Sequence, residues 1–77
     1  MGMNVFVKNE TDENLEISDI VYTLDPDEEI NLLDYYANTN DAMQALMVLD
    51  TTALYQNRVA GNISYRVEQG TPGPWEI

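Results

Sequence analysis

Apolar residues in this chain alternate with polar ones in short stretches, and only one segment departs from that habit. Val5-Phe6-Val7 is a β-branched and aromatic run closed by the polar stretch 9–14. Leu15 and Ile17 alternate with Glu16 and Ser18, and Ile20, Tyr22 and Leu24 then share one face of a second alternating stretch. Ile30 and Leu32 resume the pattern briefly. Ile63, Tyr65 and Val67 alternate with Ser64, Arg66 and Glu68 in the clearest strand of the sequence. A period of two places every other side chain on one face of a strand. The runs are separated by turn-forming residues, Asp25-Pro26-Asp27-Glu28 among them, so the strands are short.

The exception lies over 42–49, where only Gln44 is polar. Asn38-Thr39-Asn40-Asp41 ahead of it supplies N-cap residues and an acid for the first turn, where the helix dipole favours negative charge. The pattern predicts the principal helix over about 41–49. Its apolar face is wider than the stripe of an ordinary surface helix, which predicts burial on most sides or contact with a partner. Asp50-Thr51-Thr52 ends that helix and caps a second, short one through Tyr55 and Asn57. Asp34-Tyr35-Tyr36-Ala37 closes a single helical turn. The expected fold is therefore α+β: a small single domain over 1–69, with about four short, mainly antiparallel strands and one principal helix. A Pro/Gly arm over 70–77, Gly-Thr-Pro-Gly-Pro-Trp-Glu-Ile, extends from it. One domain suits 77 residues, a length that buries a thin core.

Charge and missing residue types narrow the function classes. Fourteen Asp and Glu stand against three Lys and Arg, a net charge of −11. Direct binding to nucleic acid needs clustered cations, and docking on an anionic membrane needs them too, so neither is expected. The chain has no Cys and no His, which removes disulfides, thiolate chemistry and the commonest general base and transition-metal ligand. Ser18 and Ser64 have no basic partner to activate them. There is no Gly-rich phosphate loop. The chain is read as not an enzyme, with no catalytic residue, no cofactor and no metal site. Asp25, Asp27, Glu28 and Glu29 lack the regular spacing and the Gly of a calcium loop. Nothing reads as a secretory signal or a membrane span, so Asn9-Glu10-Thr11 and Asn62-Ile63-Ser64 are taken as chance matches to the glycosylation pattern.

Two sets of residues could serve a partner. Ten of the fourteen acids lie between Glu10 and Asp34. Glu10, Asp12, Glu13, Asp25, Asp27, Glu28 and Glu29 could imitate nucleic-acid phosphate, which presents one charge per ~1.7 Å of duplex axis. The aromatic and apolar set is the stronger lead. Tyr35 and Tyr36 are adjacent and cannot both point inward, Met43 and Met47 lie on the broad helix, and Trp75 and Ile77 lie on the arm. Phe6 opposes the Val5/Val7 face, so that strand needs an apolar cover on its second side. Tyr22 and Tyr65 are expected in the core with their hydroxyls at the rim. Aromatic anchors and surplus apolar surface mark protein–protein association, with a larger protein or with itself.

The first half resembles small virion-associated proteins of tailed bacteriophages. The matching residues are Val5 to Val7, Asn9 and Thr11, then Ile17-Ser18-Asp19-Ile20, Leu24-Asp25-Pro26, and Ile30-Asn31-Leu32 with Tyr35. Such proteins often carry Gly after the Asp-Leu step, where this chain has Val21. The resemblance implies a structural accessory of a phage particle, such as a capsid decoration, cement or connector component. It would be made in the host cytoplasm, then carried in the assembled virion, bound to a capsid, portal or tail protein. The alternative is an acidic DNA mimic that inhibits a host nucleic-acid-binding defence protein.

Overall fold

In the computed structural model residues 3–69 are described. The arm over 70–77, with Trp75 and Ile77, lies outside the described residues, and so does its expected role. The chain runs β1 (Met3–Asn9), β2 (Leu15–Ile17), β3 (Tyr22–Leu24), β4 (Glu29–Asn31), a 3-10 turn (Leu32–Asp34), α1 (Thr39–Met47), α2 (Ala53–Ala60) and β5 (Ile63–Gln69). It is the small α+β domain expected, with five short strands among the described residues. β1 is the centre of a three-stranded antiparallel sheet of order β4-β1-β5, and β2 and β3 form a separate hairpin.

Alternation explains where the core sits. Val5, Val7 and Asn9 of β1 are buried, while Asn4, Phe6 and Lys8 point to the other face. Register places Ile63 opposite Asn9, Tyr65 opposite Val7 and Val67 opposite Val5, so these β5 residues share the inner face. Ile17, Leu24, Leu32, Ala42, Ala45, Leu46 and Leu54 complete the core. Burying an aliphatic side chain of this size contributes about 1.5–3 kcal/mol.

Both helices are held at their ends by side chains. The Asn38 side chain accepts from Asp41 N at 2.9 Å, and that of Thr52 accepts from Tyr55 N at 3.1 Å. The Thr52 hydroxyl also donates to the Ala45 and Leu49 carbonyls, joining the end of α1 to the start of α2. From 35 residues away Asp19 accepts from Leu54 N at 2.9 Å, a second anchor for the α2 N-terminus. At the far end Gly61 adopts φ 83°, the left-handed conformation that ends helices, and Arg58 Nε donates to Leu46 O at 2.9 Å.

Several expectations change. Helix α1 starts and ends two residues earlier than predicted, and it buries one face, Ala42, Ala45 and Leu46, rather than most of its circumference. The wide apolar run does not signal deep burial, because the chain leaves the helix after Met47 and its last apolar residues fall on a bend. Ile20 and Val21 lie in the β2–β3 turn rather than in a strand, closed by Ile20 N to Ile17 O at 3.3 Å and Val21 N to Ser18 O at 3.2 Å. Val21 takes φ 51°, the backbone that Gly would favour, so the turn keeps its geometry without a Gly. Phe6 does not need an apolar partner layer. The Arg66 guanidinium lies over its ring, 4.2 Å from the centroid. Tyr65 is not a core residue: it stands 39% exposed on β5, a strand of which only Ile63 is buried.

Candidate interaction surfaces

The acidic end of the molecule is organised by one buried amide. Asn9 is fully buried at the end of β1. Its Nδ2 donates to the carbonyls of Glu13 (2.8 Å), Leu24 (3.1 Å) and Asp25 (3.2 Å). Its Oδ1 accepts from Thr11 N at 2.8 Å and from the Thr11 hydroxyl at 2.7 Å. The 10–14 turn and the 25–28 turn are thereby pinned beside each other, though 11 or more residues separate them along the chain. Asp12, Glu13, Asp25 and Asp27 are exposed on these two turns. The buried amide leaves nothing for a glycosyl group to attach to.

Not every acid on this end is free to meet a partner. Glu28 Oε2 accepts from the Tyr22 hydroxyl at 2.5 Å and Oε1 accepts from Asp25 N at 2.8 Å. The Tyr22 bond, then the Asp25 bond, holds the Glu28 carboxyl below the ordinary range. The same carboxylate, then burial, pushes the Tyr22 hydroxyl up to about 12. Glu29 is bound by Arg66 at 3.0 and 3.2 Å, which lowers its pKa. Glu10 accepts from the Ser64 hydroxyl at 2.5 Å. Glu28 and Glu29 thus turn to different partners rather than converging, and no three acidic side chains group as a metal site among the described residues.

Both arginines are bound within the fold. Arg58 binds the Leu46 carbonyl and lies 5.3 Å from the centre of the Tyr55 ring. Arg66 binds Glu29 and Glu68 across the outer sheet face. Lys8 stands opposite Glu29 and adds to the lowering of its pKa. The remaining surface potential is therefore strongly negative.

The apolar candidates separate. Tyr35 is exposed, its ring 6.1 Å from that of Tyr22, whereas Tyr36 packs against the core. Burial raises the Tyr36 pKa, with a smaller contribution from Asp19. Met43 also packs on the core, leaving Met47 as the exposed methionine of α1. Sequence reasoning did not single out the two residues that follow. Val48 is 67% and Leu49 47% exposed, against 37% for Met47. The Gln44 carbonyl accepts from both Val48 N (3.0 Å) and Leu49 N (2.8 Å), and Thr52 N returns to Leu49 O at 3.0 Å. Three consecutive apolar side chains are therefore presented on a bend whose backbone is fixed. The signal available in the sequence was Asp50-Thr51-Thr52, which stops the helix before its apolar run can wrap into the core.

No protein-family model, curated protein or solved structure matches the chain. Among the described residues no helix is long and apolar enough to cross a membrane.

Proposed function

We propose that this chain is a non-enzymatic structural accessory of a phage particle that binds a larger capsid, portal or tail protein. The observation that carries the reading is the exposed Met47-Val48-Leu49 bend. Three successive apolar residues on a rigid surface are a liability in a free protein and an anchor in a bound one. Tyr35 adds a half-exposed aromatic of the type that dominates interface energies. The phage setting rests on the resemblance over residues 5–49. Repetition on a symmetric shell would supply avidity to a small contact.

The test is co-sedimentation with purified particles. Wild-type chain is expected in the particle band at fixed copy number, resisting a wash at roughly 0.5 M salt, where exposed charge pairs are screened. The Val48→Ser/Leu49→Ser variant should be lost from the band with its thermal melt unchanged. Absence of wild-type chain from particles, or equal retention of the variant, overturns the reading.

One observation favours the second reading, an acidic DNA mimic acting on a host defence nuclease. Asn9 brings the carboxylate-bearing turns together. In that case replacing Glu10, Asp12 and Glu13 by their amides would abolish binding, whereas the Val48/Leu49 change would not. Binding would also fall steeply as salt rises.

A further inference from the structure

Apolar side chains stand exposed on the face that β1 and β5 share with the core. Alternation and register set Met3, Val5 and Val7 of β1 on that face, with Val67 opposite Val5 and Tyr65 opposite Val7. Val5 and Val7 are fully buried, whereas Met3, Tyr65 and Val67 are 40%, 39% and 37% exposed. Met3 lies diagonally across from Val67, a spacing that long side chains bridge. These three residues form an apolar shelf continuous with the core.

The chain that follows β5 fits this shelf in length and in chemistry. Residues 70–77 read Gly-Thr-Pro-Gly-Pro-Trp-Glu-Ile and continue directly from Gln69. Tyr65 lies four residues back from Gln69, about 13 Å along the strand. Trp75 lies six residues beyond Gln69, a reach of up to about 20 Å, so it can return as far as Tyr65. Gly70 tolerates the positive φ with which a chain reverses at a strand end. Pro72 and Pro74 carry no N–H, which suits the segment to lying on side chains rather than to adding a strand.

We propose that residues 70–77 fold back over this shelf of their own chain, with the Trp75 indole lying on Tyr65 and Val67 beside Met3. Charge and connectivity select this occupant over a second copy. A second copy would bring another −11 toward a chain that already carries −11, whereas Glu76 is the one charged side chain of 70–77. The connection through Gln69 also makes the contact intramolecular, which gives even a weak contact a local concentration of about a millimolar. The indole supplies a large apolar area to cover the shelf, and its N–H can stay at the wet rim. Trp75 then finishes the apolar layer of this chain rather than anchoring it to a particle. The particle reading uses the Met47-Val48-Leu49 bend and Tyr35, so either inference can fail while the other holds.

Trp75 is the sole tryptophan, so its fluorescence in the full chain is the test. The native emission is expected to lie to the blue of the urea-denatured chain, with acrylamide quenching several-fold weaker. Both values should be the same at every protein concentration. The Tyr65→Ser/Val67→Ser variant should return quenching most of the way to the denatured value, with the far-ultraviolet circular dichroism kept. Nuclear Overhauser contacts from the indole protons to the Val67 and Met3 methyls supply a readout that needs no variant. A native Trp75 as quenchable as the denatured one overturns the proposal. Protection that grows with concentration overturns it in favour of a second copy. Indole contacts to the Val48 and Leu49 methyls, or protection that survives the double variant, overturn it in favour of another face.

Discussion

The Arg66 guanidinium covers the Phe6 ring, 4.2 Å from its centroid, while two of its nitrogens bind the Glu29 carboxylate on the far side of β1. One long side chain thus spans all three strands of the sheet on its outer face. Its stem and planar head shield an aromatic that would otherwise lie bare. Arg66→Ala is expected to lower the melting temperature by a few degrees. Arg66→Lys should recover little, because an ammonium cannot both stack and bind bidentately. A double-mutant cycle with Phe6→Leu should show positive coupling; additivity of the two changes would mean that the stacking contributes nothing.

Asn9 is expected to be the costliest single polar position. Asn9→Ala takes the amide from the Leu24 carbonyl and the Thr11 N–H and unties the two turns, while Glu13 O keeps the Thr11 hydroxyl and Asp25 O keeps Glu28 N. A buried group that loses its partner costs about 1–3 kcal/mol, and the space left by the amide adds to that. Urea denaturation should show a loss of about 3 kcal/mol or more. A loss below about 1 kcal/mol would show that the two turns hold their positions without the amide.

Val21 is expected to be a site where removing a side chain stabilises. It is 88% exposed, so no packing is lost, and its φ of 51° is unfavourable for a β-branched residue. Strain of this kind costs of order 1–3 kcal/mol, against about 0.5–1 kcal/mol for the extra freedom of an unfolded Gly. Val21→Gly should raise the unfolding free energy by about 1 kcal/mol, and Val21→Ile should not. Destabilisation by Gly would place the strain elsewhere.

The Tyr22–Glu28 hydrogen bond predicts pH dependence at both ends of the scale. The Tyr22 pKa is raised from 10.0 to about 12, so its contribution is complete below pH 10 and fades as pH climbs through about 12. Glu28 is shifted the other way, below 4.5, so its contribution is present above pH 4.5 and fades as pH falls through the lowered value. Glu28→Gln should bring the Tyr22 titration, followed through its ring resonances, back toward 10. Tyr22→Phe should raise the Glu28 pKa. An unmoved Tyr22 titration in Glu28→Gln would show that the bond does not set it.

Local pattern was enough for much of this protein. The alternations at Val5–Val7, Leu15/Ile17 and Ile63–Val67 identify strands because a period of two can bury only one face. Asn38 and Thr52 mark helix starts because their side chains satisfy amides a few residues ahead. The acid-rich turns were legible for the same local reason. What sequence could not reach depends on residues brought together from far along the chain. Asn9 reads as an ordinary turn residue until Leu24 and Asp25 arrive beside it, and Asp19 as a surface acid until the α2 N-terminus does. Phe6 looks unpartnered because its cover, Arg66, lies 60 positions away. Asp50-Thr51-Thr52 marks that the helix ends, but nothing inside the apolar run over 42–49 marks that it ends already at Met47, so Val48 and Leu49 pass for core. Periodicity determines which face of an element is apolar; only tertiary packing decides how much of that face is covered, and among the described residues Tyr65, Val67 and the Met47-Val48-Leu49 bend are apolar positions that stay exposed.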